Sequence, residues 1–322
     1  VKRRPSPLHV LVQMDPLEGI DVNGDSTFRI MREARSREHR VCVARPEHLA
    51  LDEGVVSTWS SPVKLQRDAS RPFVRSPSER RRLTDFDVIL LRQDPPFDMH
   101  YVTTTHLLEA ASTSVRIVND PFWVRNAPEK ILVTQFSDLM PPTLITRARD
   151  AIDSFRDRHG DIVIKPLYGN GGEGVFRVRE GDSNYNPLLE TLFAQRREAL
   201  VVQAFLPTVL SEGDRRLILI DGKLAGGILR IPAKGEARSN MHVGGRAERW
   251  TPTDRDRAIC ERVGPLLRER GLVFAGLDVI GDCLTEINVT SPTGMQELER
   301  LDGINAAALF WDAVERRVLD QQ

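Results

Sequence analysis

Ile162-Val163-Ile164-Lys165-Pro166-Leu167-Tyr168-Gly169-Asn170-Gly171-Gly172-Glu173-Gly174-Val175-Phe176-Arg177-Val178-Arg179 is the stretch on which the fold turns. Gly169 to Gly174 satisfies G-x-G-x-x-G, but a dinucleotide fingerprint needs its glycines to open a helix. Here Val175 to Arg179 follows, alternating like a strand and containing β-branched and aromatic residues. A Walker A loop is excluded too, because no Gly-Lys-Ser/Thr comes next. What remains is a glycine-rich hairpin whose backbone N–H groups could fold over a triphosphate, with a plain flexible turn as the other reading. Lys165 favours the first. A lysine that finishes an apolar strand is costly to desolvate unless an anion meets it. Lys130, in Asn126-Ala127-Pro128-Glu129-Lys130, opens a helix, where a cation opposes the local dipole unless it serves a ligand.

Before the loop, Leu8 to Val12, Val41 to Ala44, Phe86 to Leu91 and Val115 to Asn119 read as strands. Helices capped at Asp25 or Ser26 and spanning Thr103 to Ala111 alternate with them. A doubly wound parallel sheet is expected over about the first 120 residues, interrupted by a long irregular stretch holding Pro62, Pro72 and Pro77. Ligands of such sheets sit beyond the carboxyl ends of strands, which places Arg92, Asp94 and the loop from Asp15 to Ser26 near a small polar substrate. From about residue 125 the pattern changes. Strands at Ile162 to Ile164, Val175 to Val178, Leu217 to Ile220 and Phe274 to Ile280 look antiparallel, with helices at Ala148 to Arg158 and Asp254 to Arg270.

Near the end, Phe274 to Ile280 and Leu284 to Val289 form a candidate hairpin in which Glu286 and Asn288 share a face. A three-residue turn, Gly281 to Cys283, pairs Ile280 with Leu284 and Asp278 with Glu286; a two-residue turn puts Asp278 on the other face. The three-residue turn is preferred because Asp278, Glu286 and Asn288 would then present oxygen ligands suited to magnesium. Arg215, Arg216, Arg230 and Arg238 supply positive charge, the last in a polar loop from Pro232 to Arg246 that reads as a lid.

Composition bounds the function. The chain has 322 residues, of which 40% are hydrophobic and 28% charged, so one or two packed units are expected rather than a disordered chain. Lys+Arg 45 against Asp+Glu 46 leaves a net charge of -1, which gives no field for nucleic acid or anionic membrane. Only six of the basic residues are lysines, so each lysine draws attention. Cys42, Cys260 and Cys283 form no disulfide or zinc pattern, and Leu8 to Val12 is too short to be a secretory or membrane-spanning segment. A soluble protein of the reducing cytoplasm is the expectation.

The order of these features resembles the prokaryotic glutathione synthetases of the ATP-grasp ligase family. The resemblance rests on Met14-Asp15-Pro16, Gly24 to Phe28, Leu91-Arg92-Gln93-Asp94-Pro95-Pro96-Phe97-Asp98, Glu129-Lys130 and Ile164 to Leu167. It continues through Gly169 to Gly172, Arg230-Ile231-Pro232, Gly276 to Asp282 and Thr285-Glu286-Ile287-Asn288-Val289-Thr290-Ser291-Pro292, from about Leu8 to the C-terminus. Two departures are Tyr168, where an acidic residue is expected, and Gly294-Met295-Gln296, in place of a Cys-Ile-Arg-like run.

The resemblance implies an α/β protein with an N-terminal pre-ATP-grasp domain over residues 1–124, followed by an ATP-grasp domain over 125–322 with antiparallel sheets. The latter divides into a central lid subdomain, 125–205, and a catalytic subdomain, 206–322. It implies ATP-driven ligation of γ-glutamylcysteine to glycine through an acyl phosphate, in a cytoplasmic homotetramer. ATP would be held by Lys130, Lys165, Gly169, Asn170, Gly171 and Gly172, with Gln203, Ala204, Phe205 and Leu206 at the adenine and Asp214 near the ribose. Mg2+ or Mn2+ would bind Asp278, Glu286 and Asn288. Arg216, Arg230 and Lys165 would act in catalysis, and Asp25, Ser26, Arg92, Asp94, Arg230, Arg238, Asn240 and Ser291 would hold the substrates. The histidines have no expected role. Three alternatives stay open: an ATP-grasp ligase of glutamate- or dipeptide-ligase type, an ATP-binding protein without ligase activity, and an RNA-binding module using Arg75 to Arg82. The last lacks interleaved aromatics.

Overall fold

The computed structural model describes residues 6–66, 72–233 and 244–320. Strand β1 (His9–Gln13) is an almost wholly buried apolar run, and helix α1 (Ser26–Ser36) follows, its N-terminus capped by Asp25 accepting from Phe28 N. Next come β2 (Arg40–Asp52), β3 (Val55–Leu65), β4 (Phe73–Arg75), β5 (Glu79–Arg82) and β6 (Val88–Leu91). Helix α2 (Met99–Glu109), β7 (Arg116–Val118) and α3 (Pro121–Asn126) complete this part. Strands β2, β1, β6 and β7 lie side by side in parallel, as the alternation of strands and helices predicts.

The stretch expected to be irregular is not. Strands β2 and β3 form a long antiparallel hairpin, closed by Glu53 and Gly54, both at positive φ, and β4 and β5 each pair antiparallel with β3. The turn geometry matches the twist of the flanking strands. Pro62 sits within β3 opposite Cys42, so the prolines do not break the sheet, and the sheet is mixed rather than purely parallel. The arginines between 75 and 82 are spread over this hairpin, where Arg75 pairs with Glu18, Arg80 with Asp52 and Arg81 with Glu79.

The next segment holds α4 (Glu129–Leu132), β8 (Thr143–Thr146), α5 (Arg149–His159), β9 (Ile162–Pro166), β10 (Phe176–Val178), α6 (Tyr185–Gln195) and β11 (Leu200–Ala204). Its four strands run β10-β9-β11-β8, all antiparallel, so a strand does follow the glycine loop. Then come α7 (Thr208–Glu212), β12 (Asp214–Ile220), β13 (Lys223–Ile231), β14 (Arg246–Trp250), α8 (Asp254–Glu269), β15 (Phe274–Ile280), β16 (Cys283–Asn288), α9 (Met295–Asp302) and α10 (Ala306–Leu319). Strands β14-β13-β12-β15-β16 form the third sheet.

The β15–β16 turn differs from expectation. Ile280 pairs with Cys283 and Val279 with Leu284, so the turn has two residues, Gly281 and Asp282. The register then shifts between Asp278 and Val279, and Asp278 pairs with Glu286 after all. A bulge at Thr285, not a longer turn, brings the two carboxylates together, because one extra residue on one strand reverses the alternation beyond it.

The buried clusters partition the molecule. One cluster contains only residues from 152 to 202, including Ile164, Val178, Leu189 and Val202. The other two each mix the first sheet with the third: Leu11 and Ile89 share one with Leu277 and Ile287, while Val10 and Phe28 share another with Ile218 and Phe310. From residue 152 to 202 the middle segment therefore has its own core, while its beginning, through Leu132, Val133, Phe136 and Leu139, packs into the core shared by the segments before and after it.

Candidate active site

Three segments meet at the glycine loop. Gly171, Gly172 and Gly174 all take positive φ, which lets the chain turn back from β9 into β10 without Cβ penalties. Beneath the loop lies a cavity of about 800 Å3, a size that suits a nucleotide. The whole set expected at ATP lines it: Lys130 and Lys165, Gly169 to Gly172, Gln203 to Leu206, and Asp214. Strand β11 brings in Gln203 and Ala204. Phe205 and Leu206 continue from it beside Val163, Val209 and Ile280, an apolar bed for a planar base. Arg177, which the sequence reading passed over, stacks on the Phe205 ring at 3.8 Å.

Charge is concentrated where that cavity meets the third sheet. Arg216, Asp278 and Glu286 are direct cross-strand partners, so one row runs across β12, β15 and β16. Arg216 grips Asp278 with both branches of its guanidinium, at 2.5 and 3.0 Å. Gly276 makes room for this: a Cβ there would stand 2.9 Å from Arg216 Cδ. Arg230 makes a two-pronged contact with Asp214 at 2.5 and 2.7 Å and reaches Asp278 at 3.0 Å. Lys165 Nζ donates to Glu286 Oε1 at 3.0 Å, and Lys130 Nζ lies 3.6 Å from the same oxygen while donating to Gly169 O at 2.5 Å. Arg215, next in the strand, points to the opposite face, pairing with Asp256 at 3.3 Å and lying over Trp250; it is no part of the site.

Burial alone would raise the Asp278 carboxyl, yet Arg216 and Arg230 hold it well below the usual carboxylate range. Glu286 is likewise lowered against its burial by Lys130 and Lys165. Glu129 has no such help: burial pushes it up to about 7 despite Lys130, and Glu286 adds to the rise. Asn288 donates through Nδ2 to Gly276 O at 3.3 Å and to Asp278 Oδ2 at 3.2 Å, which leaves its carbonyl oxygen for a ligand. Among the described residues no group of three or more His, Cys, Asp and Glu side chains gathers as a metal site; the oxygen donors here are two carboxylates and one amide.

A second cavity of about 770 Å3 shares Asn170, Gly171, Glu173, Asp278 and Glu286 with the first, so the two are joined at the charged row. Four of the residues expected to hold substrate, Asp25, Asp94, Arg230 and Ser291, line it together with Arg216 and Asn288. Two expected contacts do not. Arg92 is buried behind the wall, donating to Thr27 Oγ1 and Pro292 O and lying over Phe274. Ser26 is fully buried, its Oγ accepting from Met295 N. Both brace the wall between α1 and the chain after β16. Arg238 and Asn240 lie outside the described residues, as does most of the expected lid. Tyr168, the first departure from the expected pattern, stacks on Phe97 at 5.7 Å between ring centroids and ties the glycine loop to the first segment. In the second, Gln296 donates to Val22 O and Asp25 O. The reading also missed Glu129 and Glu297, both of which line this cavity.

Comparison with known proteins places the chain in a family. A sequence profile described as prokaryotic glutathione synthetase, N-terminal domain, matches residues 8–125, and one described as its ATP-grasp domain matches residues 129–303. Glutathione synthetase from Brucella melitensis is 52% identical over 310 residues, covering 96% of this chain and 99% of the relative. The enzyme of the same name from Mesorhizobium japonicum is 49% identical over 308 residues, covering 96% and 98%. Among solved structures, a D-cycloserine synthetase aligns over 96% of this chain and 99% of its own with a TM-score of 0.68 at 15% identity, a likeness of fold alone. The chain belongs to the prokaryotic glutathione synthetase family of ATP-grasp ligases.

Proposed function

We propose that the chain's glutathione synthetase activity, the ATP-dependent joining of γ-glutamylcysteine to glycine, takes place where the two cavities meet. The observation that carries this reading is the shared wall of Asp278 and Glu286, where a nucleotide's terminal phosphate and a substrate carboxylate would both meet one charged row. Lys130, Lys165 and the backbone of Gly169 to Gly172 hold the phosphates. The cysteinyl carboxylate oxygen attacks the γ-phosphorus, the bond to ADP breaks, and an acyl phosphate forms. Arg216 and Arg230 balance the charge on that intermediate from fixed positions on the sheet. The amine of glycine, having given up a proton, attacks the acyl carbon; the peptide bond forms and phosphate leaves. No side chain forms a covalent bond with substrate.

Asp278, Glu286 and the Asn288 carbonyl are hard oxygen donors that fit Mg2+ or Mn2+. Such an ion, when bound, neutralises phosphate charge during transfer. Arg216 and Arg230 pair with Asp278, and Lys130 and Lys165 with Glu286. Residues 152 to 202 of the middle segment, with their separate core, serve as a lid over the nucleotide. The reading includes a homotetramer, for which exposed Leu51, Val55, Trp59 and Val74 on β2–β4 offer apolar surface; light scattering measures its size. It also includes a cytoplasmic setting, with which three unpaired cysteines are consistent.

Phosphate release from ATP is measured with γ-glutamylcysteine, with and without glycine. Turnover should require glycine, and glycine-independent turnover would remove the proposed acceptor. Glu286→Ala should abolish turnover with an unchanged circular dichroism spectrum; full activity in that variant would remove the metal set.

A further inference from the structure

Glu297 is a buried carboxylate to which the roles above give no task. It sits in the first turn of α9, only 5% exposed, and its Oε2 has no hydrogen-bond partner. A helix N-terminus favours an acidic residue, but that is satisfied at the surface and does not require a carboxylate oxygen removed from water without a partner, which is costly. The side chain lines the substrate cavity together with Asp21, Asp25 and Asp94, none of which lines the nucleotide cavity, while Arg216 and Arg230 stand with Asp278 and Glu286 at the wall the two cavities share. At that shared wall Asp278 is met by Arg216 and Arg230 and Glu286 by Lys130 and Lys165, whereas among the described residues no lysine or arginine beyond Arg216 and Arg230 lines the cavity to offset the four carboxylates near α1.

The acidic cluster is built rather than accidental. Gln296 Nε2 donates to Val22 O at 3.1 Å and Asp25 O at 2.6 Å, and Met295 N donates to Ser26 Oγ at 3.2 Å, so the start of α9 is stitched to the loop that carries the other acids. A Cβ at Gly24 would stand 2.5 Å from Asp21 Oδ2 and 3.8 Å from Glu297 Oε1, so glycine lets the loop approach. Asp25 uses Oδ1 to cap α1. Burial raises the carboxyls of both Asp25 and Glu297, outweighing the pull of Arg92 on the first and of Arg300 on the second.

We propose that Glu297, with Asp25, receives the α-ammonium group of the γ-glutamyl residue and so selects a γ-linked dipeptide as donor. The inference rests on the cavity assignment made above. The reacting carboxylate must lie at the shared wall, beside the nucleotide. The amine of glycine must reach that same carbon in its neutral form, and buried carboxylates would keep it protonated, so the acidic cluster is not the acceptor's. The ammonium that keeps its charge throughout is at the far end of the donor. An α-linked glutamyl dipeptide would shorten the distance between its ammonium and the reacting carboxylate, so the two could not reach Glu297 and the shared wall together.

The test compares KM values for γ-glutamylcysteine and for glutarylcysteine, the same molecule without its α-amino group. Wild-type enzyme should favour γ-glutamylcysteine by roughly ten- to a hundredfold, as loss of a charge-assisted hydrogen bond implies. Glu297→Gln should raise KM for γ-glutamylcysteine by a similar factor, leave KM for ATP and glycine unmoved, and accept the two donors almost equally. An unchanged donor KM in Glu297→Gln, or a raised KM for glycine instead, overturns the assignment. Should the variant not fold, equal KM values for the two donors in wild-type enzyme overturn it independently. Arg230→Lys separates the two levels: full activity in that variant defeats the cavity assignment itself, whereas lost activity there with an unchanged donor KM in Glu297→Gln defeats only the role of Glu297.

Discussion

At the scale of single residues, the lysines carry most of the information. Lys165 ends β9, is 6% exposed and meets Glu286, and Lys130 meets the same carboxylate from α4. Two ammonium groups converging on one oxygen need compact, flexible heads, which the planar guanidinium fork does not offer. Lys64, on β3, is solvent-exposed and far from this wall. Lys165→Arg should therefore lower kcat/KM for ATP at least tenfold, while Lys64→Arg leaves it within about twofold. Steady-state kinetics of both variants check this, and equal values would reduce the lysine count to mere composition. Arg92 shows the limit of single-residue reasoning. Its place after β6 marks it for substrate, but its contacts with Thr27 and Pro292 make it part of the wall.

At the scale of elements, the third sheet works because a bulge corrects its own turn. A two-residue turn alone would send Asp278 and Glu286 to opposite faces; the extra residue at Thr285 returns them to one. Thr285 Oγ1 donates to Asp278 O at 3.0 Å and secures the distortion. The hairpin is also anchored from outside. Asn119, buried at the end of β7, donates to Phe274 O and Val289 O at 2.8 Å and accepts from Phe274 N at 2.9 Å. Removing that amide leaves three backbone groups unpaired in the interior. Asn119→Ala should cost roughly 2–5 kcal/mol in urea unfolding, and a loss below about 0.5 kcal/mol would show that water replaces it.

At the scale of the whole molecule, the first and last segments are one body. His39, just before β2, joins them: Nδ1 accepts from Leu8 N, so Nε2 carries the proton and donates to Glu315 on α10 at 3.2 Å, and the ring lies against Trp311. Burial holds this imidazole below its usual value, against the opposing pull of Glu315. A group lowered in the folded state is better protonated when unfolded, so its contribution is intact above pH 6.5 and is lost as pH falls below it. Glu129, held up to about 7, acts in the opposite sense and loses stability as pH rises from 4.5 to 7. The His39 contribution is therefore read as a difference: His39→Gln should melt below wild type at pH 7.5, and the gap should narrow by pH 5.5. A gap independent of pH would show that the ring titrates normally. The parallel strands, the glycine hairpin, the lysines and the shared face of Glu286 and Asn288 were legible in the sequence, because periodicity, turn chemistry and charge are local and survive in a single chain. The β2–β3 hairpin was hidden because its prolines read as breakers, although the long β3 tolerates Pro62 opposite Cys42. Only the tertiary structure decided the bulge register, the inward turn of Arg92 and the placing of Glu297 against Asp25. Each depends on which distant backbone a side chain meets, and that is set by the shared packing of segments more than a hundred residues apart.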